Sequence, residues 1–314
     1  MAKPSSRPRA GVVYTLAAIA PRLFLHAILR RRYSGTENLP KSGGFIAAAN
    51  HVTELDSITF MHFMLHHHYP VRVLVKSSLM KVPVVGFCAR KSKMIPVYRE
   101  TSAAADSLRD AKAALRAGEC VGIFPEGTLT RDPGLWPMKG RTGAARMALD
   151  TGAPVIPIAQ WGAHRTLEPY GKWHLQLFRR GLVEVSAGPA VDLSDLHGRA
   201  EDHEAVEEAT RRIMEALTKQ LQGLRPGETP PAKVWDMKVD GDRYHREKKK
   251  KRRGDAASTR ERGPRPPNRE PRPPNREPRP PNREPEAERR APRWREATYI
   301  LTMRNISPAF GTRS

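Results

Sequence analysis

Between Phe45 and Leu221 the chain repeats one alternation: a short apolar run of strand character, a turn, then a longer stretch with helical spacing. The strand candidates are Phe45–Ala49, Val71–Val75, Met94–Val97, Cys120–Phe124 and Val155–Ala159. The helical ones are Asp56–Leu65, Ser102–Ala117, Thr142–Leu149 and Glu201–Leu221, stopped by Gly118, by Gly152, and by Gly223 with Pro226. Strands and helices that alternate in this way predict an α/β layered domain, with a mostly parallel central sheet flanked by helices. Late in the pattern, Trp173–Phe178 and Leu182–Ala187 flank Arg-Arg-Gly and read as a hairpin on one edge of the sheet.

The alternation does not extend to the end of the chain. Residues 241–314 hold 22 Lys/Arg against 10 Asp/Glu, and 12 of the 29 prolines. Lys248–Lys251 with Arg252 and Arg253 forms an unbroken basic run, and Pro-Arg-Pro-Pro-Asn-Arg-Glu then repeats in tandem from Pro264, Pro271 and Pro278. That seven-residue unit has no apolar position, so it predicts an extended, solvated chain and not a coiled coil. The expected organisation is an N-terminal membrane-associating segment over 1–32, one domain over 33–225, and a basic, Pro-rich disordered tail over 226–314. With the tail set aside, the remaining 240 residues still carry an excess of about ten positive charges. Such a balance suits anionic substrates and anionic lipid surfaces.

Composition excludes several other classes. Two cysteines, Cys88 and Cys120, make neither a disulfide framework nor a four-ligand zinc site, and point to a reducing compartment. His62 with His66–His68 lacks the acid or thiolate that would complete a metal set, and no metal is expected. The most apolar stretch, Gly11–Leu29, is broken by Pro21, Arg22 and His26. It reads as a helix lying in a bilayer surface with Arg22 and Arg30–Arg32 at the head groups; a helix packed on the body is the alternative. The basic tail also fits nonspecific nucleic-acid binding, but no interleaved aromatics or known module support that as the main role.

Two segments carry chemistry. Asn50-His51-Val52-Thr53-Glu54-Leu55-Asp56 follows a strand and opens a helix. A carboxylate five residues after a histidine, across a turn, is able to orient the imidazole and stabilise its protonated form, leaving the other nitrogen as a general base. The same aspartate also suits a simple helix cap. Phe124-Pro125-Glu126-Gly127-Thr128, with Arg131 behind it, leaves the carboxyl end of a strand, where α/β proteins place their sites.

Together the two segments resemble the glycerophospholipid acyltransferase family. Its N-H-x-x-x-x-D motif is matched at Asn50, His51 and Asp56, and its F-P-E-G-T motif from Phe124 to Thr128. Ile95-Pro96-Val97-Tyr98-Arg99 and Val155-Ile156-Pro157-Ile158 are similar to its other two motifs, in the same order, and the likeness spans roughly residues 11–222. The resemblance implies an enzyme that transfers a fatty acyl group from acyl-CoA or acyl carrier protein to the hydroxyl of a lysophospholipid, first of all lysophosphatidic acid, in phospholipid biosynthesis. A different lysolipid or glycolipid acceptor, or a non-catalytic membrane-binding or nucleic-acid-binding protein, is the alternative. It implies His51 as base, Asp56 as its orienting partner, and Asn50, Arg99, Glu126, Gly127, Thr128 and Arg131 as substrate-binding residues. It implies neither metal nor bound cofactor, and places the protein on the cytoplasmic face of a membrane. Leu129 departs from the pattern, since a basic residue commonly follows the threonine.

Overall fold

The structure is a computed structural model that describes residues 19, 22–97, 103–170 and 180–244. Seven strands form one sheet: β1 (Leu29–Ser34), β2 (Phe45–Ala49), β3 (Val71–Lys76), β4 (Ile95–Val97), β5 (Cys120–Ile123), β6 (Val155–Trp161) and β7 (Gly181–Ala187). Their order is β1-β7-β6-β2-β5-β3-β4, and every pairing except β6–β7 is parallel. Helices α1 (Asp56–His66), α2 (Pro83–Lys91), α3 (Ala103–Arg116), α4 (Gly143–Thr151) and α5 (His203–Gly223) complete the α/β layers.

The period-2 geometry of a strand divides the core into two. In β2, Ile46 and Ala48 join α3, α4 and α5 through Ala111, Leu115, Met147 and Ile213. Phe45, Ala47 and Ala49 join α1 on the opposite face through Phe60, Phe63 and Met64. All five β2 residues are buried, which explains why this central strand reads as a continuous apolar run. In neighbouring β5, a Cβ on Gly122 would lie 2.7 Å from Phe60 Cε1, so glycine lets α1 approach the sheet closely.

Two elements differ from the sequence expectation. β1, Leu-Arg-Arg-Arg-Tyr-Ser, is a strand although half of it is arginine, because it pairs in parallel with β7 and turns alternate residues inward. Leu29 enters the core, and Arg31 and Tyr33 meet His62 of α1 at 3.2 and 2.6 Å. β7 lies between β1 and β6, so it is not an edge hairpin strand; the expected partner Trp173–Phe178 is outside the described residues.

Residues 22–28 are helical, with Leu25 buried against α1's face of the sheet and Leu23 65% exposed. The rest of the expected 11–29 surface helix, apart from Ile19, is outside the described residues. Among the described residues no helix is long and apolar enough to cross a membrane. The expected tail starts at residue 226, yet the chain is described to Tyr244 and lies on the body: Lys139 N donates to Trp235 O at 2.9 Å, and Lys139 Nζ meets Asp236 at 3.0 Å.

Candidate active site

Adjacent parallel strands release their loops at the same edge of a sheet. Here β6, β2 and β5 stand side by side, with Ala48 opposite both Ile123 and Pro157. The loop after β2 carries Asn50 and His51, the loop after β5 carries Phe124–Thr128, and the loop after β6 runs through His164 to Tyr170. Sheet order thus brings together two motifs that are some 75 residues apart, as in the 3.1 Å bond from His51 N to Glu126 Oε1.

Asp56 opens α1, and its Oδ2 accepts the backbone amides of Val52 and Thr53 at 2.6 and 2.8 Å. The carboxylate therefore shapes the turn that holds His51. The same oxygen lies 3.6 Å from His51 Nδ1, at ion-pair distance without a hydrogen bond. The His51 ring stacks on Phe124, centroids 4.2 Å apart, and keeps 15% of its side chain exposed, whereas Asp56 keeps 2%. An aromatic face on one side and a buried anion on the other leave the ring one route to an incoming group, through its exposed edge.

Other expected substrate contacts face inward. Asn50 exchanges two hydrogen bonds with the Gln160 backbone, Nδ2 donating to its carbonyl at 3.0 Å and Oδ1 accepting its amide at 2.8 Å. Gln160 Nε2 returns a bond to Asn50 O, and its Oε1 accepts from Thr59 Oγ1. This network ties the ends of β2 and β6 to α1 and is closed to solvent. Glu126 is also buried: Oε1 takes the His51 amide and Oε2 takes the Met138 amide at 3.1 Å. Burial pushes its carboxyl up to about 8, against the pull of those two amides and the Thr130 hydroxyl. Both residues hold the loops around His51 in place.

Gly127 turns in the left-handed region at φ +70°, where a side chain is strained. A Cβ there would sit 2.6 Å from Arg141 Nε, so the Arg141 side chain lies directly on this turn. Thr128 Oγ1 meets the Tyr170 hydroxyl at 3.2 Å, and Arg131 Nη1 donates to the same hydroxyl at 2.7 Å. Arg131, expected to hold the phosphate, is buried. Its Nε lies 2.7 Å from Asp242 Oδ1, close but poorly aligned for a hydrogen bond, and Tyr170 and Tyr244 bracket the guanidinium at 4.7 and 5.2 Å. Arg99 is outside the described residues.

Sequence reasoning passed over Gln160, His164, Tyr170, Arg141 and Asp242. His164 follows β6 with a buried Nδ1 that has no hydrogen-bond partner; burial pulls it down to about 4, and the Asp56 carboxylate is the largest opposing influence. Nothing local marks these residues, because each meets the motifs across a long loop or from another strand end. Among the described residues, no group of His, Cys, Asp and Glu has the arrangement to hold a metal ion.

Comparisons with known proteins agree with this architecture. A family model described as Acyltransferase matches residues 30–161. A 1-acyl-sn-glycerol-3-phosphate acyltransferase of Bacillus subtilis is 30% identical over 188 residues, covering 60% of this chain and 84% of that protein. One from Borreliella burgdorferi is 29% identical over 197 residues, covering 61% and 72%. The crystal structure of the 1-acyl-sn-glycerophosphate acyltransferase from Thermotoga maritima superposes with a TM-score of 0.54 at 24% identity, covering 70% of this chain and 82% of that one. That likeness extends to the fold alone.

Proposed function

This chain belongs to the acyltransferase family and is an acyltransferase, and we propose that it transfers a fatty acyl group from acyl-CoA or acyl carrier protein to lysophosphatidic acid, giving phosphatidic acid. The observation that carries this reading is the His51–Asp56 pair, 3.6 Å apart, with a partly exposed imidazole backed by a buried carboxylate. His51 Nε2 takes the proton of the acceptor hydroxyl as its oxygen bonds to the thioester carbonyl carbon. The C–S bond then breaks, and the imidazolium passes its proton to the departing thiolate, which leaves as the thiol and restores neutral His51. Asp56 stabilises that transient charge. The glycerol backbone of the acceptor lies along Gly127 and Thr128, beside the turn that carries His51. Transfer is direct, with no acyl group on the enzyme.

The lipid acceptor fits attachment to one membrane face, which we place at the cytoplasmic side. Exposed Ile19 and Leu23 beside Arg22 support a helix that lies on lipid. The test is an assay of purified full-length protein with labelled acyl-CoA or acyl carrier protein against a panel of lysophospholipids and monoacylglycerol. Phosphatidic acid formed from lysophosphatidic acid is the expected product. Efficient use of another head group, with none of this one, reassigns the acceptor.

A further inference from the structure

We infer that Arg141, which lies outside every motif in the sequence, is the residue that recognises the acceptor's phosphate; this rests on the lysophosphatidic acid reading above. Three observations lead to it. The position after Thr128 is Leu129, an apolar side chain 5% exposed, so the motif itself supplies no cation there. The next cation, Arg131, is 6% exposed and already engaged by Asp242, Tyr170 and the Leu129 carbonyl. A substrate phosphate would have to expel the Asp242 carboxylate and lift Tyr244 to reach it.

Arg141 stands in the opposite condition. Its backbone amide donates to Pro125 O at 2.8 Å, which fixes its Cα to the Phe124–Thr128 loop. Its side chain crosses Gly127, where a Cβ would come within 2.6 Å of Nε and 2.8 Å of Cδ. Glycine at this turn therefore serves two ends, the left-handed φ and the room for a guanidinium. The residue is exposed, and among the described residues its side chain has no hydrogen-bond or ion-pair partner. An unpaired guanidinium offers the planar fork that a phosphate monoester accepts with two oxygens. Through Glu126, whose Oε1 holds the His51 amide, the turn under Arg141 is one residue removed from the base. A phosphate bound there is placed on the same loop system as the hydroxyl that His51 deprotonates.

The test uses full-length protein and three variants, Arg141→Ala, Arg141→Lys and Arg131→Ala. Initial rates are measured against lysophosphatidic acid, monoacylglycerol and acyl-CoA, and sn-glycerol 3-phosphate binding is measured separately by calorimetry. Arg141→Ala is expected to raise KM for lysophosphatidic acid about 10- to 100-fold, the loss of a hydrogen-bonded charge. The KM for acyl-CoA, the weak use of monoacylglycerol and the melting temperature should stay as in the parent. Arg141→Lys should recover part of the loss, since a point charge replaces a fork. An acceptor KM within twofold of the parent in Arg141→Ala, with a large rise in Arg131→Ala, overturns the inference and assigns the phosphate to Arg131 after displacement of Asp242. Should the parent acylate no phosphorylated acceptor, the acceptor reading itself fails. Calorimetry then still decides this site, because glycerol 3-phosphate binding that persists unchanged in Arg141→Ala also overturns it.

Discussion

Asp56→Asn removes a charge from the site while keeping its shape. The Asp56 oxygen that accepts the Val52 and Thr53 amides is the one 3.6 Å from His51 Nδ1. The Asn oxygen occupies the same place and keeps both bonds, so the turn survives and only the anion is lost. Unit charges about 4 Å apart attract by about 4 kcal/mol at an effective dielectric of about 20. Solvent reaches the ring, 15% exposed, and weakens this, so the imidazolium formed during transfer should lose about 2–4 kcal/mol. At about 1.4 kcal/mol per decade, kcat falls about 30- to 1,000-fold. The assay is the saturated rate of labelled acyl transfer by purified full-length variant and parent, with a thermal melt of each. The expected result is the lost rate with a melt within a few degrees of the parent. A kcat within threefold of the parent, on an intact fold, refutes the reasoning that Asp56 serves His51 electrostatically.

The buried supports give separate predictions. Asn50→Ala leaves the Gln160 amide and carbonyl unpaired, and should cost about 2–4 kcal/mol, or a melt lower by about 4–16 °C in a domain of this size, read by calorimetry. Glu126 is raised from 4.5 to about 8, so across that window the folded state keeps a proton that the unfolded chain has released. Its contribution is therefore present at the acidic end and lost as pH rises toward 8; melts between pH 5 and 8 should slope downward, and the slope should flatten in Glu126→Gln. Leu23→Asp should weaken flotation with anionic vesicles about tenfold and leave the melt unchanged, because Leu23 is exposed while its neighbour Leu25 is buried.

Where an element or a contact depended on near neighbours in sequence, expectation and structure agree in position. β2, β5 and β6 are apolar because both their faces are covered, and the five-residue step from His51 to Asp56 spans one turn before α1. β1 was hidden, since nothing in Leu-Arg-Arg-Arg-Tyr-Ser announces a strand until β7 offers its pairing partner 152 positions later. α2 was hidden by Gly86 in its middle, although Pro83 at its first turn is a permitted start. The inward direction of Asn50 and Glu126 was equally illegible. Motif residues show in sequence, but not the amides of Gln160 and Met138 that their oxygens accept. Arg131 is the same case in reverse, a cation whose solvent access is decided by Asp242, 111 residues away.

The pairing of β1 with β7 also orders events in time. Leu29 faces Gly181 and Ser34 faces Ser186, so among the described strands the first synthesised is completed by the last. At about 5–20 residues per second, a ribosome needs about 8–30 s to cover that interval. Throughout it, Leu25 and Leu29 have left the exit tunnel but lack the β7 side of their core, where Val183 and Val185 will later sit. A nascent chain in this state displays the apolar side of residues 22–28 together with the arginines of β1. Residues 22–28 are thus presented well before the β7 side of their core exists, and the sheet closes on them last.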